Sequence, residues 1–538
     1  MKKSNFLNGA IIATLGIIIC KVIGLLYVIP FYAMIGAKGG ALYSYAYSIY
    51  AIFLSLSTSG IPVAMSKLVS EYNALEQYNT KERIYKLGST IIISFGLISF
   101  VVLMIFAPEV ALLLKGGVAE GSSIESVASV IRVVSTALLV VPILSVTKGY
   151  LQGHKVIKTP ASANIIEQLV RVCVLLGGTY LILNVFKLDV KFAVQVAVFA
   201  ATVGAIAAYG YLVFNIKKSK NTLNKNEKIT EEEKQITTKE LLKKIVIYAV
   251  PFVLIDLINS TYVIVNSSTV INTLTKLGYS GHDAEIVLSS ISTWATKLDM
   301  IVISVAIGFV TSLIPHITSN YVKNDMDGVS KKINQSIEML LLIVLPMSIG
   351  LSFLANPIWT IFYGYNALSI SVFKLFAFQA LTYSLHWLLI NVLQALNKSN
   401  VTLLILFGGV FAKIVLNTTV MKILPNYGID AHQGATITTL GIQLIAIIVI
   451  LIYLKCKFKI NFSESRKSIL KIISSALIMT AALFITKEFI PIEKTSRAIA
   501  LMNTVIYATI GAIVYAIATY KFKLLDKFIR IIKNKRTW

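Results

Sequence analysis

The chain has 538 residues, of which 56% are hydrophobic and 14% charged, and it carries a formal net charge of +25. Soluble domains carry roughly 25% charged residues, so water is excluded as the solvent for much of this surface. The apolar runs are continuous, which excludes a barrel of alternating segments of about ten residues and leaves helices as the backbone solution in lipid.

In chain order, Lys2 and Lys3 precede an apolar run from about Ile11 to Ile35. That run is too long for a signal peptide and lacks a convincing small-residue cleavage site, so it is predicted to be the first membrane helix. Spans near the length needed to cross the hydrocarbon core then fall at 9–35, 41–65, 88–108, 125–150, 160–183, 191–214, 245–271, 288–315, 335–355, 369–395, 401–423, 433–454, 469–487 and 498–520. The predicted fold class is an all-α polytopic membrane protein of about 14 helices. With the N-terminus in the cytoplasm, cytoplasmic segments hold about four times as many Lys and Arg as outer loops, the positive-inside asymmetry. Both termini are therefore expected in the cytoplasm. The excess cations belong to flanks facing an anionic leaflet, and no nucleic-acid partner is needed. Cys20, Cys173 and Cys456 form neither a disulfide framework nor a metal spacing.

Residues 217–244 read KKSKNTLNKNEKITEEEKQITTKELLKK, a charged connector expected to be solvated. Thr237-Thr238-Lys239-Glu240 resembles a capping box opening the next helix. On either side lie six helices, and the halves share features. Leu151-Gln152-Gly153 with Arg171 and Leu393-Gln394-Ala395 with Lys413 are offset by 242 residues. Ser59-Gly60-Ile61-Pro62 and Ser312-Leu313-Ile314-Pro315 end corresponding helices. An even number of helices per half makes the repeat parallel, with a substrate site expected between the halves. The domain expectation is an N-terminal lobe at 1–216, the linker at 217–244, a C-terminal lobe at 245–455, and two extra helices with a basic cytoplasmic tail at 456–538.

Ionisable residues at membrane depth are costly and point to function. The cations are Lys21, Arg132, Lys148, Arg171, Lys297, Lys374 and Lys413, against Asp256 and Asp299. A cavity lined by cations suits an anion, because a buried charge needs a counter-charge. Lys21 lies mid-span, and Lys297 lies about nine residues into its helix; both are read as substrate-cavity cations. Asp299 is two residues from Lys297, on another helix face, and is a poor partner for it. Arg171 follows Glu167 by four residues, so an ion pair and a substrate contact both stay open. Lys148 and Lys374 lie near helix ends where they can snorkel, and Arg132 has the same option. Asp256, with Asn259 and Ser260 nearby, either binds Na⁺, carries a proton or pairs with a cavity lysine. No phosphate-binding G-x-x-x-x-G-K-[ST] motif, H-E-x-x-H motif or Cys/His metal pattern occurs in the sequence. The reading is a transporter without catalytic residues or cofactor, driven by Na⁺, H⁺ or membrane potential.

Several segments carry a resemblance: Lys21-Val22-Ile23-Gly24-Leu25, Gly60-Ile61-Pro62-Val63-Ala64 running on to Ser66-Lys67-Leu68-Val69-Ser70-Glu71-Tyr72, and Trp294-Ala295-Thr296-Lys297-Leu298 running on to Leu313-Ile314-Pro315. Over essentially its whole length the chain resembles the MOP superfamily of flippases and exporters, and within it the MurJ and stage V sporulation protein B group. The resemblance implies a cationic central cavity for a lipid-linked pyrophosphate, with Lys21 and Lys297 at two positions that are arginine in the group. Lysine supplies charge without a bidentate fork. Other charged positions of the group fall on Tyr27, Val28 and Phe53 here, which are uncharged. The resemblance further implies a lipid-tail groove at the last two helices and a sodium site at Asp256 with Asn417 and Thr436 or Thr439, lacking an acidic ligand at Met421. Arg132, Arg171 and Lys413 complete the expected anion-binding set. The expected activity is alternating-access flipping of a polyprenyl-pyrophosphate-linked saccharide, lipid II first, to the outer leaflet of a bacterial cell membrane. A cation-coupled drug antiporter of the MATE class, a flippase for another lipid-linked polysaccharide, and an idle scaffold are the alternatives.

Overall fold

A computed structural model of the protein describes residues 20, 22–58, 60–115, 121–154, 156, 158–218, 233, 235–492 and 496–524. Among the described residues every regular element is a helix. The chain divides into two compact units, Met1–Asn272 and Thr273–Trp538.

The first unit holds α1 (Val28–Thr58), α2 (Gly60–Ala74), α3 (Tyr78–Ile105), α4 (Ala107–Lys115), α5 (Ile124–Ser135), α6 (Val141–Gly153), α7 (Lys158–Tyr180), α8 (Val190–Lys218) and most of α9 (Thr238–Lys276). The helix α1 is broken at Gly36, which has φ 65° and ψ −171°, a conformation open in practice to glycine alone. Beyond the break the chain reverses. The rings of Phe31 and Tyr43 meet with centroids 5.1 Å apart, whereas residues 31 and 43 of one straight helix would lie about 18 Å apart. So the chain turns back at Gly36, between the first two predicted spans.

The second unit holds α10 (Gly281–Ser289), α11 (Ala295–Val322), α12 (Met326–Phe353), α13 (Ala355–Tyr363), α14 (Ala367–Phe376), α15 (Phe378–Ala395), α16 (Ser399–Ile423), α17 (Gly434–Phe458), α18 (Ser463–Phe489) and α19 (Arg497–Lys521). Twelve described helical stretches are long and apolar enough to cross a membrane, the first of them spanning Val22–Asn73. That first stretch contains both arms of α1. The seventh predicted crossing lies in α9, whose 39 residues reach about 58 Å at 1.5 Å each. With twelve such stretches among the described residues, the fold is all-α and polytopic. The last two crossings, outside the repeat, dock on α12 and α13. Phe353 meets Phe484 edge-on at 5.2 Å and Tyr507 at 5.8 Å, and the Tyr515 hydroxyl donates to the Leu342 carbonyl at 2.8 Å.

By contact, α9 groups with the first unit, whereas the repeat assigns residues 245–271 to the second lobe. The physical reason is a set of polar contacts to α1 and α2. Lys244 Nζ reaches Glu71 Oε1 at 3.3 Å and Tyr72 Oη at 2.8 Å. Lys67 Nζ stands 3.8 Å from the Tyr248 ring centre, and the Ser55 and Ser260 hydroxyls lie 3.2 Å apart. The end of the linker is also docked, which corrects its expected solvation. Glu233 is buried and accepts the Thr80 backbone N–H at 3.0 Å, capping an orphan donor at the start of α3. Arg83 donates to the Ile236 carbonyl at 3.0 Å and to Thr238 Oγ1 at 3.2 Å. The capping box forms as read: Glu240 N–H donates to Thr237 Oγ1, and Thr237 N–H to Glu240 Oε2, both at 3.2 Å.

Candidate functional site

Lys297 sits in the first turn of α11, directly after a π-helical turn over Ser290–Trp294. Such turns re-aim the residues that follow them and recur at functional sites. The half-buried Lys297 ammonium lies 4.9 Å from the centre of the Trp294 ring. That indole is buried, with the Tyr363 ring tilted against it at 5.4 Å, and the Trp294 backbone carbonyl accepts the Tyr363 hydroxyl at 2.9 Å. A cation held over a fixed indole face keeps its charge while its direction is restricted. Asp299 is buried on another side of α11, near Ala380, and its carboxylate makes no ion pair among the described residues. The expectation that it does not partner Lys297 agrees with this placement. Lys21, the other predicted cavity lysine, lies outside the described residues.

In the first unit, Glu167 does not pair with Arg171. Its carboxylate accepts Lys148 Nζ at 2.8 Å instead, so Lys148 bridges α6 to α7 and does not snorkel as expected. Arg171 is half-buried, and its electrostatic neighbours are the phenols of Tyr43, Tyr27, Tyr47 and Tyr50. These tyrosines were absent from the expected site, although 43, 47 and 50 follow the spacing of one helix face. Arg132 Nε donates to the Met104 carbonyl near the end of α3 at 3.2 Å. That is a helix-end contact for a cation.

Lys413 is fully buried between α16 and α17. Its ammonium donates to the Ala435 carbonyl at 2.8 Å and to Thr439 Oγ1 at 2.7 Å. Two expectations therefore merge: a residue assigned to the substrate is bonded to a residue assigned to the coupling ion. Asn417, one turn beyond Lys413, and Thr436 are buried in the same two helices. Thr436 Oγ1 makes no hydrogen bond among the described residues, so it is an oxygen still available to an ion. The backbone of Asp256 belongs to α9, but its side chain lies outside the described residues. Among the described residues no group of three or more His, Cys, Asp or Glu side chains is placed to hold a metal ion.

Residues 6–321 match a family model described as polysaccharide biosynthesis protein. The chain is 32% identical over 539 aligned residues, 98% of its length and 97% of the relative, to the lipid II flippase MurJ of Bacillus subtilis (strain 168). It is 23% identical to the stage V sporulation protein B of the same organism, over 81% of this chain and 82% of the relative. Among solved structures it is similar to a lipid II flippase MurJ in an inward closed conformation, with TM-score 0.70 and 16% identity over 95% of this chain and 98% of that one. An inward-facing multidrug resistance MATE transporter of the MOP superfamily follows the same fold, with TM-score 0.65 and 14% identity over 84% of this chain and 96% of that one. With its apolar crossings, its intramembrane cations and these full-length likenesses together, the chain belongs to the polysaccharide biosynthesis protein family, among the MurJ-like multi-pass membrane proteins of bacteria.

Proposed function

We propose that this protein is a lipid II flippase that moves its lipid-linked saccharide from the cytoplasmic to the outer leaflet by alternating access. The observation that carries the reading is the 32% identity to the B. subtilis lipid II flippase MurJ across 98% of the chain. The likeness to the MATE transporter, at 14% identity, concerns the fold, so drug export stands second.

In this mechanism Lys21 and Lys297 neutralise the pyrophosphate while the polyprenyl tail stays in the bilayer. The Trp294 ring stands 4.9 Å from the Lys297 ammonium and restricts where it points. Transport makes and breaks no covalent bond. Outward movement of each negative charge gains about 2.3 kcal/mol per 100 mV of inside-negative potential, so the potential alone can drive a dianionic headgroup. Coupling to Na⁺ or H⁺ through Asp256, Asn417, Thr436 and Thr439 is the second source of drive. Arg132 and Lys413 have internal partners and contribute to the potential of the pathway more than to direct contact. Both termini face the cytoplasm in this reading, as the positive-inside asymmetry requires.

The test is depletion of a bacterial host's own lipid II flippase, with surface-exposed lipid II as the readout. Wild-type chain is expected to restore exposure, and Lys21→Ala with Lys297→Ala, inserted at normal level, is expected to fail. No restoration by a correctly inserted wild type sinks lipid II as the substrate.

A further inference from the structure

We infer that Arg171, with Tyr27 and the tyrosines of α1, forms a phosphate-receiving subsite inside the first unit, which takes the pyrophosphate of the lipid-linked substrate. The inference rests on the lipid-linked reading above and gives Arg171, expected from the sequence to bind the anion, its tyrosine surroundings and its place in the first unit.

Three observations carry it. First, the carboxylate best placed for Arg171, that of Glu167 one turn earlier, is engaged by Lys148 at 2.8 Å. Among the described residues Arg171 makes no hydrogen bond and no ion pair, and the groups acting on it are phenols, which are neutral at physiological pH. A guanidinium offers five N–H donors in a planar fork, and an unpaired one at membrane depth marks a place built for an anion.

Second, the surroundings are rigid. On α8, Gly204 faces Arg171: a Cβ there would come within 3.1 Å of Arg171 Cβ and 2.7 Å of the Glu167 carbonyl oxygen. Only glycine lets α8 close against α7 at this level. The Tyr43 and Tyr47 rings stack at 5.8 Å with 17° between planes, and Tyr50 continues the row 6.2 Å beyond Tyr47. Tyr27, Tyr43 and Tyr50 are buried, while Tyr47 and Arg171 are half-exposed. The accessible part of the cluster is thus a guanidinium beside one phenol, backed by a fixed aromatic row.

Third, the repeat supplies a contrast. Lys413 stands at the corresponding point of the second half and is sealed, with its ammonium bonded to Ala435 and Thr439. Of the two corresponding cations, the open one is the arginine, the residue whose fork matches two phosphate oxygens.

The test uses the full chain in phosphatidylcholine nanodiscs titrated with farnesyl pyrophosphate, with dissociation constants and thermal midpoints recorded for each variant. Arg171→Ala is expected to weaken binding about 10- to 100-fold. Arg171→Lys is expected to lose less, since it keeps the charge and loses the fork. Tyr47→Phe should weaken binding by a few-fold, on the order of one lost neutral hydrogen bond. The midpoints should stay level or rise, because no native partner of Arg171 is removed. Unchanged affinity in Arg171→Ala overturns the inference; if that variant does not fold, unchanged affinity in both Arg171→Lys and Tyr47→Phe does so. In nanodiscs containing phosphatidylglycerol, persistence of the Arg171-dependent binding supports a pyrophosphate site, and its abolition assigns the site to ordinary phospholipid and overturns the substrate assignment. Restored lipid II exposure by the wild type together with Arg171-independent pyrophosphate binding removes this subsite and leaves the flippase standing. Arg171-dependent binding without restored exposure does the reverse.

Discussion

Lys413 and Lys297 both lie in the second unit, and their surroundings set opposite expectations for substitution. The Lys413 ammonium is sealed, with a carbonyl and a hydroxyl as partners and no carboxylate. Replacing a buried charge by an apolar side chain of similar volume is often neutral or stabilising, by about 1–4 kcal/mol. Lys413→Met is therefore expected to keep or raise the thermal midpoint in detergent. Thr439→Val leaves the ammonium with one partner and should cost about 1–3 kcal/mol. A lower midpoint in Lys413→Met than in Thr439→Val would reverse this account. Lys297 is half-buried over an indole. Lys297→Ala is expected to reduce lipid II exposure at least tenfold, the equivalent of about 1.4 kcal/mol, while Lys297→Arg retains most of it. Equal transport by Lys297→Ala and wild type would move the charge-neutralising role elsewhere. At this scale the sequence showed which charges lie at membrane depth. It did not show their partners: the spacing of Glu167 and Arg171 fits a helical pair, yet Lys148, from another helix, takes the carboxylate.

Among the elements, the break in α1 and the end of the linker have local causes that single substitutions reach. Gly36→Ala puts a Cβ on a backbone with φ 65° and ψ −171°, at a cost of about 1–3 kcal/mol. The expected result is a lower thermal midpoint, and an unchanged midpoint would mean the turn relaxes freely. Glu233→Ala leaves the Thr80 N–H without its carboxylate acceptor and frees residues 233–240 from α3. Trypsin cleavage within 217–244 should accelerate about tenfold, as expected when opening becomes easier by about 1–2 kcal/mol. Cleavage at the wild-type rate would show that the Arg83 contacts hold the segment without Glu233. The capping box was readable because it uses residues three apart in sequence. The docking of Glu233 was not, because its donor at Thr80 is 153 residues away.

For the whole molecule, orientation is the expectation still to be measured. In a chain with Cys20, Cys173 and Cys456 replaced by serine, a membrane-impermeant maleimide should label Lys38→Cys in intact cells and Lys217→Cys only after permeabilisation. The opposite pattern would invert the topology. The class of fold could be read before any coordinates, because lipid demands runs of apolar residues whose length is fixed by bilayer thickness. Composition alone carries that information, and so does the excess of intramembrane cations that points to an anionic cargo. Three features depended on tertiary structure. The tyrosines around Arg171 bring Tyr27, just ahead of α1, and the arm of α1 beyond Gly36 to a residue of α7. Lys413 is bonded within the second unit because a neighbouring helix presents Ala435 and Thr439. The helix α9 groups with the first unit through contacts with α1 and α2, although the repeat counts it in the second half. Each is a choice of partner between helices far apart in sequence, and helical periodicity fixes which face a residue occupies without fixing what packs against that face.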